Sequence, residues 1–173
     1  MALAGGRPAG PAILCIAAPL RNVLPGNYPM SREQFWFFNP LRVRYSEIDR
    51  QGVVHNANYL MYFDTTITEY FRALGYDQQA DSKKTGIDFH VVKSLIEYKA
   101  SVLFDQEIDV GARVARIGNS SLVFELAIFL KGGVDALVTG EIVWVYTSQQ
   151  THRPVPIPES IREFIVTREL HLA

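Results

Sequence analysis

The sequence predicts an α+β fold in which one antiparallel sheet wraps around a single long helix. Over residues 57–74, apolar side chains recur at three- and four-residue steps and give one apolar stripe. From residue 86 onward the chain instead alternates apolar and polar residues, punctuated by Gly-Asn and Gly-Gly turns. One long helix and one sheet can cover each other's apolar surface only if the helix lies in the concave face of the sheet.

Each element follows in order. Residues 35–48 read as a first strand with apolar alternation at Leu41, Val43 and Tyr45; Pro40 breaks the run, so the ordered part is expected after it. Residues 49–54 make a turn. The helix then places Tyr59, Phe63, Ile67, Tyr70, Phe71 and Leu74 on one face and Asp64, Thr65, Thr68 and Arg72 on the other. Asn56 suits its N-cap and Gly75 its C-terminal cap. Eighteen helical residues span about 27 Å, enough to cross a sheet.

Everything after the helix reads as antiparallel strand. Residues 86–104 form a long strand with a break near Lys93-Ser94. Residues 108–117 turn Ile108, Val110, Ala112 and Val114 to one face, and Gly118-Asn119 reverses the chain. Residues 121–131 present Leu122, Phe124, Leu126, Ile128 and Leu130 to one side; Gly132-Gly133 turns again, and residues 137–146 close the sheet. After Pro154, Pro156 and Pro158 a short helix starts at Pro158-Glu159, because proline is tolerated in a first turn.

With 173 residues, 48% hydrophobic and 20% charged, the chain has the size and composition of one globular domain. A net charge of −1 offers no basic field for nucleic acid, and neither a phosphate loop nor a GxSxG elbow occurs. One cysteine, Cys15, precludes an intramolecular disulfide and makes a reducing, cytoplasmic compartment the expectation. The four histidines lack the short spacing of a metal site, so no metal is expected. Residues 1–29, free of acids and rich in Gly, Pro and Ala, read as a disordered upstream extension, with a targeting peptide as the alternative. Their apolar run is too short to cross a bilayer. Met30 opens the domain, residues 30–173.

The candidate chemistry lies between the first strand and the helix, in RYSEIDRQGVVHNANY. Asp49 ends an apolar-alternating segment, a glycine turn follows, and the helix opens at His55-Asn56. A helix N-terminus gathers unpaired N–H groups and partial positive charge, so an oxyanion forming there is stabilised. A carboxylate beside it can serve as nucleophile or base. Asp49 also has two plainer readings, a turn residue or a helix cap, and spacing alone does not choose among the three.

The run D-x-x-G-V-V-x-N-x-N-Y from Asp49 to Tyr59, followed by a helix ending in Leu74-Gly75, resembles the 4-hydroxybenzoyl-CoA thioesterase-like family of hotdog-fold acyl-CoA thioesterases. The resemblance covers roughly residues 35–163. It implies a thioester hydrolase acting on acyl-CoA, with Asp49 attacking the thioester or activating water. It also implies a backbone donor at Asn56 polarising the carbonyl, and no cofactor, because coenzyme A belongs to the substrate. Some relatives carry histidine where this chain has Asn56; here His55 stands one residue earlier, either contributing from there or as an ordinary pre-helix residue. Asn58 is expected to hold the Asp49 loop.

For coenzyme A the resemblance points to strand ends and hairpins carrying Lys93, Arg113, Arg116, Asn119, Ser120 and Ser121. Phe63, Phe89 and Tyr98 are candidates for an acyl pocket. Such proteins pair two subunits edge to edge with sites at the interface, so a homodimer or dimer of dimers is expected. Two other readings stay open: a non-catalytic acyl-CoA-binding protein, and a hotdog dehydratase acting on 3-hydroxyacyl thioesters.

Overall fold

The computed structural model describes residues 30–169. Strand β1 (Phe37–Arg42) leads through a 3-10 turn at Tyr45–Glu47 to helix α1 (Asn56–Ala73) and helix α2 (Gln78–Thr85). Strands β2 (Ile87–Tyr98), β3 (Glu107–Ile117), β4 (Ser121–Leu130) and β5 (Ala136–Ser148) follow, then helix α3 (Glu159–Val166). The five strands form one sheet in the order β1-β3-β4-β5-β2, and every neighbouring pair is antiparallel. This is the α+β arrangement of the hotdog fold. The reading of residues 1–29 lies outside the described residues.

Helix α1 buries the stripe that its spacing foretold, with Phe63, Ile67 and Tyr70 fully enclosed and Asp64, Thr65, Thr68 and Arg72 exposed. An isolated helix of this length is marginal in water, so packing is what holds it. Each large apolar side chain buried here stabilises by roughly 1.5–3 kcal/mol. Its floor is the inward row of β3 (Ile108, Val110, Ala112, Val114), of β4 (Leu122, Phe124, Leu126, Ile128) and of β5 (Val138, Ile142, Trp144, Tyr146).

The inward row of β5 skips one side chain, at Gly140. A Cβ there would stand 2.4 Å from Cε2 of Phe63, so the missing side chain is what lets the helix approach the sheet. Gly140→Ala is expected to cost about 1–3 kcal/mol of stability through overpacking, measured by chemical denaturation. An unchanged midpoint would mean that the helix has room to shift.

Helix α1 ends as expected. Gly75, at φ +81°, donates its N–H to Arg72 O, and Tyr76 donates to Phe71 O, the paired bonds of a Schellman motif. Its start differs: the N-cap is His55, whose Nδ1 accepts from the Ala57 N–H at 3.4 Å, and Asn56 is already helical.

Four further expectations are corrected. β1 runs through Pro40, tolerated because β1 is an edge strand paired, among the described residues, only with β3. Helix α2 was not foreseen, because it buries no residue and so carries no apolar period. Its signals were local: the Asp77 carboxylate caps the Ala80 N–H at 2.9 Å, and Gly86 closes the helix at φ +69°. β2 ends at Tyr98 rather than continuing to residue 104, although its register does slip between Val91 and Lys93, where a break was expected. Leu130, at the strand end, is 38% exposed instead of buried.

Candidate active site

The segment between β1 and α1 is cross-braced. Ile48 and Val54 form an isolated antiparallel bridge, and the Asp49 N–H donates to Val53 O at 2.8 Å. Gly52 N–H returns to Asp49 O at 3.0 Å; this reversal needs the left-handed φ of +78° that glycine adopts freely. The Asp49 carboxylate is therefore displayed at the head of a tight loop. Its Oδ1 accepts from the Gln51 N–H at 2.7 Å, while Oδ2 accepts no hydrogen bond among the described residues.

The loop is tied to the helix start. Val54 N–H donates to Val102 O, His55 N–H to Glu47 O at 2.9 Å, and the Asn58 side-chain amide to the same Glu47 carbonyl at 2.7 Å. Asn58 thus holds this segment, as its position implied. At the first turn of α1, the Ala57 N–H goes to the His55 ring and the Asn58 N–H to His55 O. The Asn56 N–H donates to nothing among the described residues. A free carboxylate oxygen and a free helix N-terminal donor thus belong to one braced loop-and-helix unit.

Tyr59 and Tyr98 wall this corner. Their rings meet edge to face at 5.2 Å, and the Tyr98 hydroxyl donates to Asn56 O at 3.4 Å. Burial pushes the Tyr59 phenol up; a hydrogen bond with the Val102 backbone pulls the other way, and the charges of Tyr98 and Asp49 add to the rise. Asp49 therefore lies within electrostatic reach of the Tyr59 phenol.

A family model described as the thioesterase-like superfamily matches residues 43–165, about seven-tenths of the chain, and this span includes the whole loop and both ends of α1. The chain belongs to the thioesterase-like superfamily. It is 27% identical over 126 residues to the acyl-CoA thioesterase YbgC of Haemophilus influenzae, covering 73% of this chain and 91% of that protein. It is 29% identical to the acyl-CoA thioester hydrolase YbgC of Escherichia coli O6:H1, covering 70% and 90%. Among solved structures it is similar to the PA5185 protein of Pseudomonas aeruginosa strain PAO1. There the TM-score is 0.72 and the identity 37%, with 81% of this chain and 96% of that one covered.

Within this member of the thioesterase-like superfamily, the remaining site candidates fall in two places. Tyr98 stands at the Asp49 corner and is 52% exposed. Phe63 is wholly enclosed in the core against Gly140, one helical turn from Tyr59, and Phe89 stacks on Phe71. The coenzyme A candidates lie elsewhere. Lys93, in mid-β2, pairs with Glu141 at 2.7 Å, and Arg113 pairs with Glu125. Asn119, Ser120 and Ser121 form the β3–β4 hairpin, and Ser121 sits opposite Val145 near the end of β5. That end also holds the start of β2 and the C-terminal half of α1, through Phe71 on Phe89 and Trp144. Tyr59 to Phe71 spans roughly 18 Å of helix, so within one chain the hairpin and Asp49 stand at opposite ends of the sheet.

Arg116 and Asn119 do share an open groove of about 580 Å³, together with Arg162. Arg162 was not foreseen from the sequence. Its guanidinium donates to Gly118 O, Asn119 O and Ile157 O, which fixes the hairpin against α3. On helix α1, Glu69 pairs with Arg72 and Asp64 faces outward. No helix among the described residues is long and apolar enough to cross a membrane.

Proposed function

We propose that this protein hydrolyses acyl-CoA thioesters to a free acid and coenzyme A. Asp49 acts as nucleophile or general base, and the Asn56 N–H holds the thioester oxygen. The observation that carries this reading is the pairing, on one braced unit, of an uncommitted carboxylate oxygen with an uncommitted helix N-terminal donor. Hydrolysis asks for both: a group that attacks or activates water, and a donor aimed at the oxygen where charge develops. The YbgC relatives' names supply the substrate class. Coenzyme A is part of the substrate, so the chemistry needs no cofactor or metal.

His55 accepts the Ala57 N–H at Nδ1, and its part in this reading is to cap the helix. His55→Ala is expected to retain turnover within a few-fold while losing roughly 1 kcal/mol of stability. Steady-state thiol release and a thermal melt check both numbers. A collapse of turnover in a folded variant would give the imidazole a chemical role.

A two-fold dimer through β2 completes the reading. β1, the other edge, is six residues long and carries Pro40, which blunts it. β2 is 12 residues long, pairs among the described residues only with β5, and exposes Val91, Val92, Leu95 and Tyr98 by 50, 60, 49 and 52%. A long apolar edge of this kind is a template for another strand, and a second copy supplies one with two-fold symmetry. Antiparallel pairing sets the Tyr98 end of one β2 against the Ile87 end of the other. The partner's β3–β4 hairpin then stands at the same end as Asp49, which resolves the separation seen within one chain. The wild type is expected to run as a dimer in light scattering, and Leu95→Lys as a monomer with much reduced turnover. A fully active monomer would contradict the composite site.

A further inference from the structure

We infer that Glu47 and Tyr62 form a positioning pair for the reaction, locking the loop that carries Asp49 onto the second turn of α1. This rests on the Asp49 chemistry proposed above. Glu47 lies two residues before Asp49 and closes the 3-10 turn Tyr45–Glu47. Its carboxylate Oε2 accepts from the Tyr62 hydroxyl at 2.7 Å and from the Arg44 N–H at 2.8 Å. Its carbonyl oxygen accepts from the His55 N–H and from the Asn58 side chain. Four hydrogen bonds thus converge on one residue, two from the helix start, one from the turn and one from the body of the helix.

The Tyr62 bond differs in kind from the other three. They join neighbours within the loop and first turn, whereas Tyr62 is 6% exposed and its side chain belongs to the packed core. Through it, the rigid body of α1 sets the position of residue 47 and, two residues on, that of Asp49. Burial pushes the Tyr62 phenol strongly up, and the Glu47 carboxylate adds to the rise, so the hydroxyl keeps its proton and stays a donor at every working pH. Glu47 itself has a committed carboxylate and borders an open groove of about 790 Å³ on the β1 side of the helix. Shortening its side chain leaves space for water instead of a sealed cavity, so the fold tolerates the change. A loop displaced by even 1 Å costs on the order of a hundred-fold in rate.

The test is steady-state thiol release by full-length wild type, Tyr62→Phe, Glu47→Ala, Glu47→Gln and the Tyr62→Phe/Glu47→Ala double variant, with Asp49→Asn alongside. Melting curves establish that each is folded at the assay temperature. A shared positioning role predicts that Tyr62→Phe and Glu47→Ala each lower kcat by about 10- to 100-fold with KM within two-fold. The double variant should be no worse than the worse single, since both changes break one link. Glu47→Gln keeps an acceptor oxygen for the Tyr62 hydroxyl and should restore most of the rate. Unchanged kcat in both single variants, while Asp49→Asn abolishes turnover, overturns the pair and leaves the Asp49 reading standing. A Glu47→Gln loss as deep as Glu47→Ala also overturns it, because charge and not position would then be what matters. An Asp49→Asn variant that remains fully active removes the underlying reading itself, whatever the other variants do.

Discussion

Replacing Asn56 with proline is expected to lower kcat by about a hundred- to a thousand-fold while the helix stays intact, because it deletes the one N–H proposed to hold the thioester oxygen. The position suits the experiment. Asn56 is the first residue of α1, where proline is well tolerated since the N–H it lacks has no helical acceptor. His55, the residue before it, already has the extended backbone that a following proline demands, with φ −61° and ψ 135°. Asn56→Ala serves as the control: it removes the side chain, keeps the N–H, and should retain nearly full turnover. The measurement is kcat by thiol release, with circular dichroism to confirm the helix. If proline leaves the rate unchanged, the carbonyl is polarised elsewhere. If alanine fails as badly as proline, the side chain and not the backbone is the donor.

Asp49→Asn is expected to reduce kcat by at least a hundred-fold with the fold and melting temperature nearly unchanged. The substitution keeps the size of the side chain and its Oδ1 acceptor, so the 2.7 Å bond from the Gln51 N–H that shapes the loop survives. What disappears is the negative oxygen that, in the proposed reaction, either attacks the thioester or takes a proton from water. Both roles fail together in this variant. Kcat measured beside the thermal melt separates lost chemistry from lost structure.

Much of this was legible in the chain, and the exceptions share a cause. The α1 stripe from Tyr59 to Leu74 was plain because a 3.6-residue period repeated over about four turns leaves little ambiguity, and the strands of β3 to β5 alternate just as cleanly. Gly52 and Gly75 announced themselves because both need a left-handed backbone. Helix α2 stayed hidden because a helix that buries nothing has no period to detect, and only its caps speak for it. Pro40 misled because whether a strand lies at an edge depends on sheet order, which no local pattern encodes.

The candidate site divides in the same way. Asp49, Asn56 and Asn58 stood out through a contiguous motif. The Glu47–Tyr62 bond joins residues 15 apart through a 3-10 turn and a helix, so it emerges only once both elements are in place. The helix cap passed to His55 instead of Asn56 because a ring nitrogen took a role that asparagine more often fills. The distance between the β3–β4 hairpin and Asp49 likewise follows from strand order and cannot be read from composition.

The most direct measurement is free-thiol release from short, long and aromatic acyl-CoAs, comparing wild type with Asp49→Asn under identical conditions. Hydrolysis of at least one class by the wild type, falling a hundred-fold or more in a folded Asp49→Asn protein, is the predicted result, and the preferred class then names the substrate. No release from any of them, or release indifferent to the substitution, would contradict an Asp49-dependent thioesterase. Binding without turnover, or hydration of an enoyl thioester, would then be the activity to pursue.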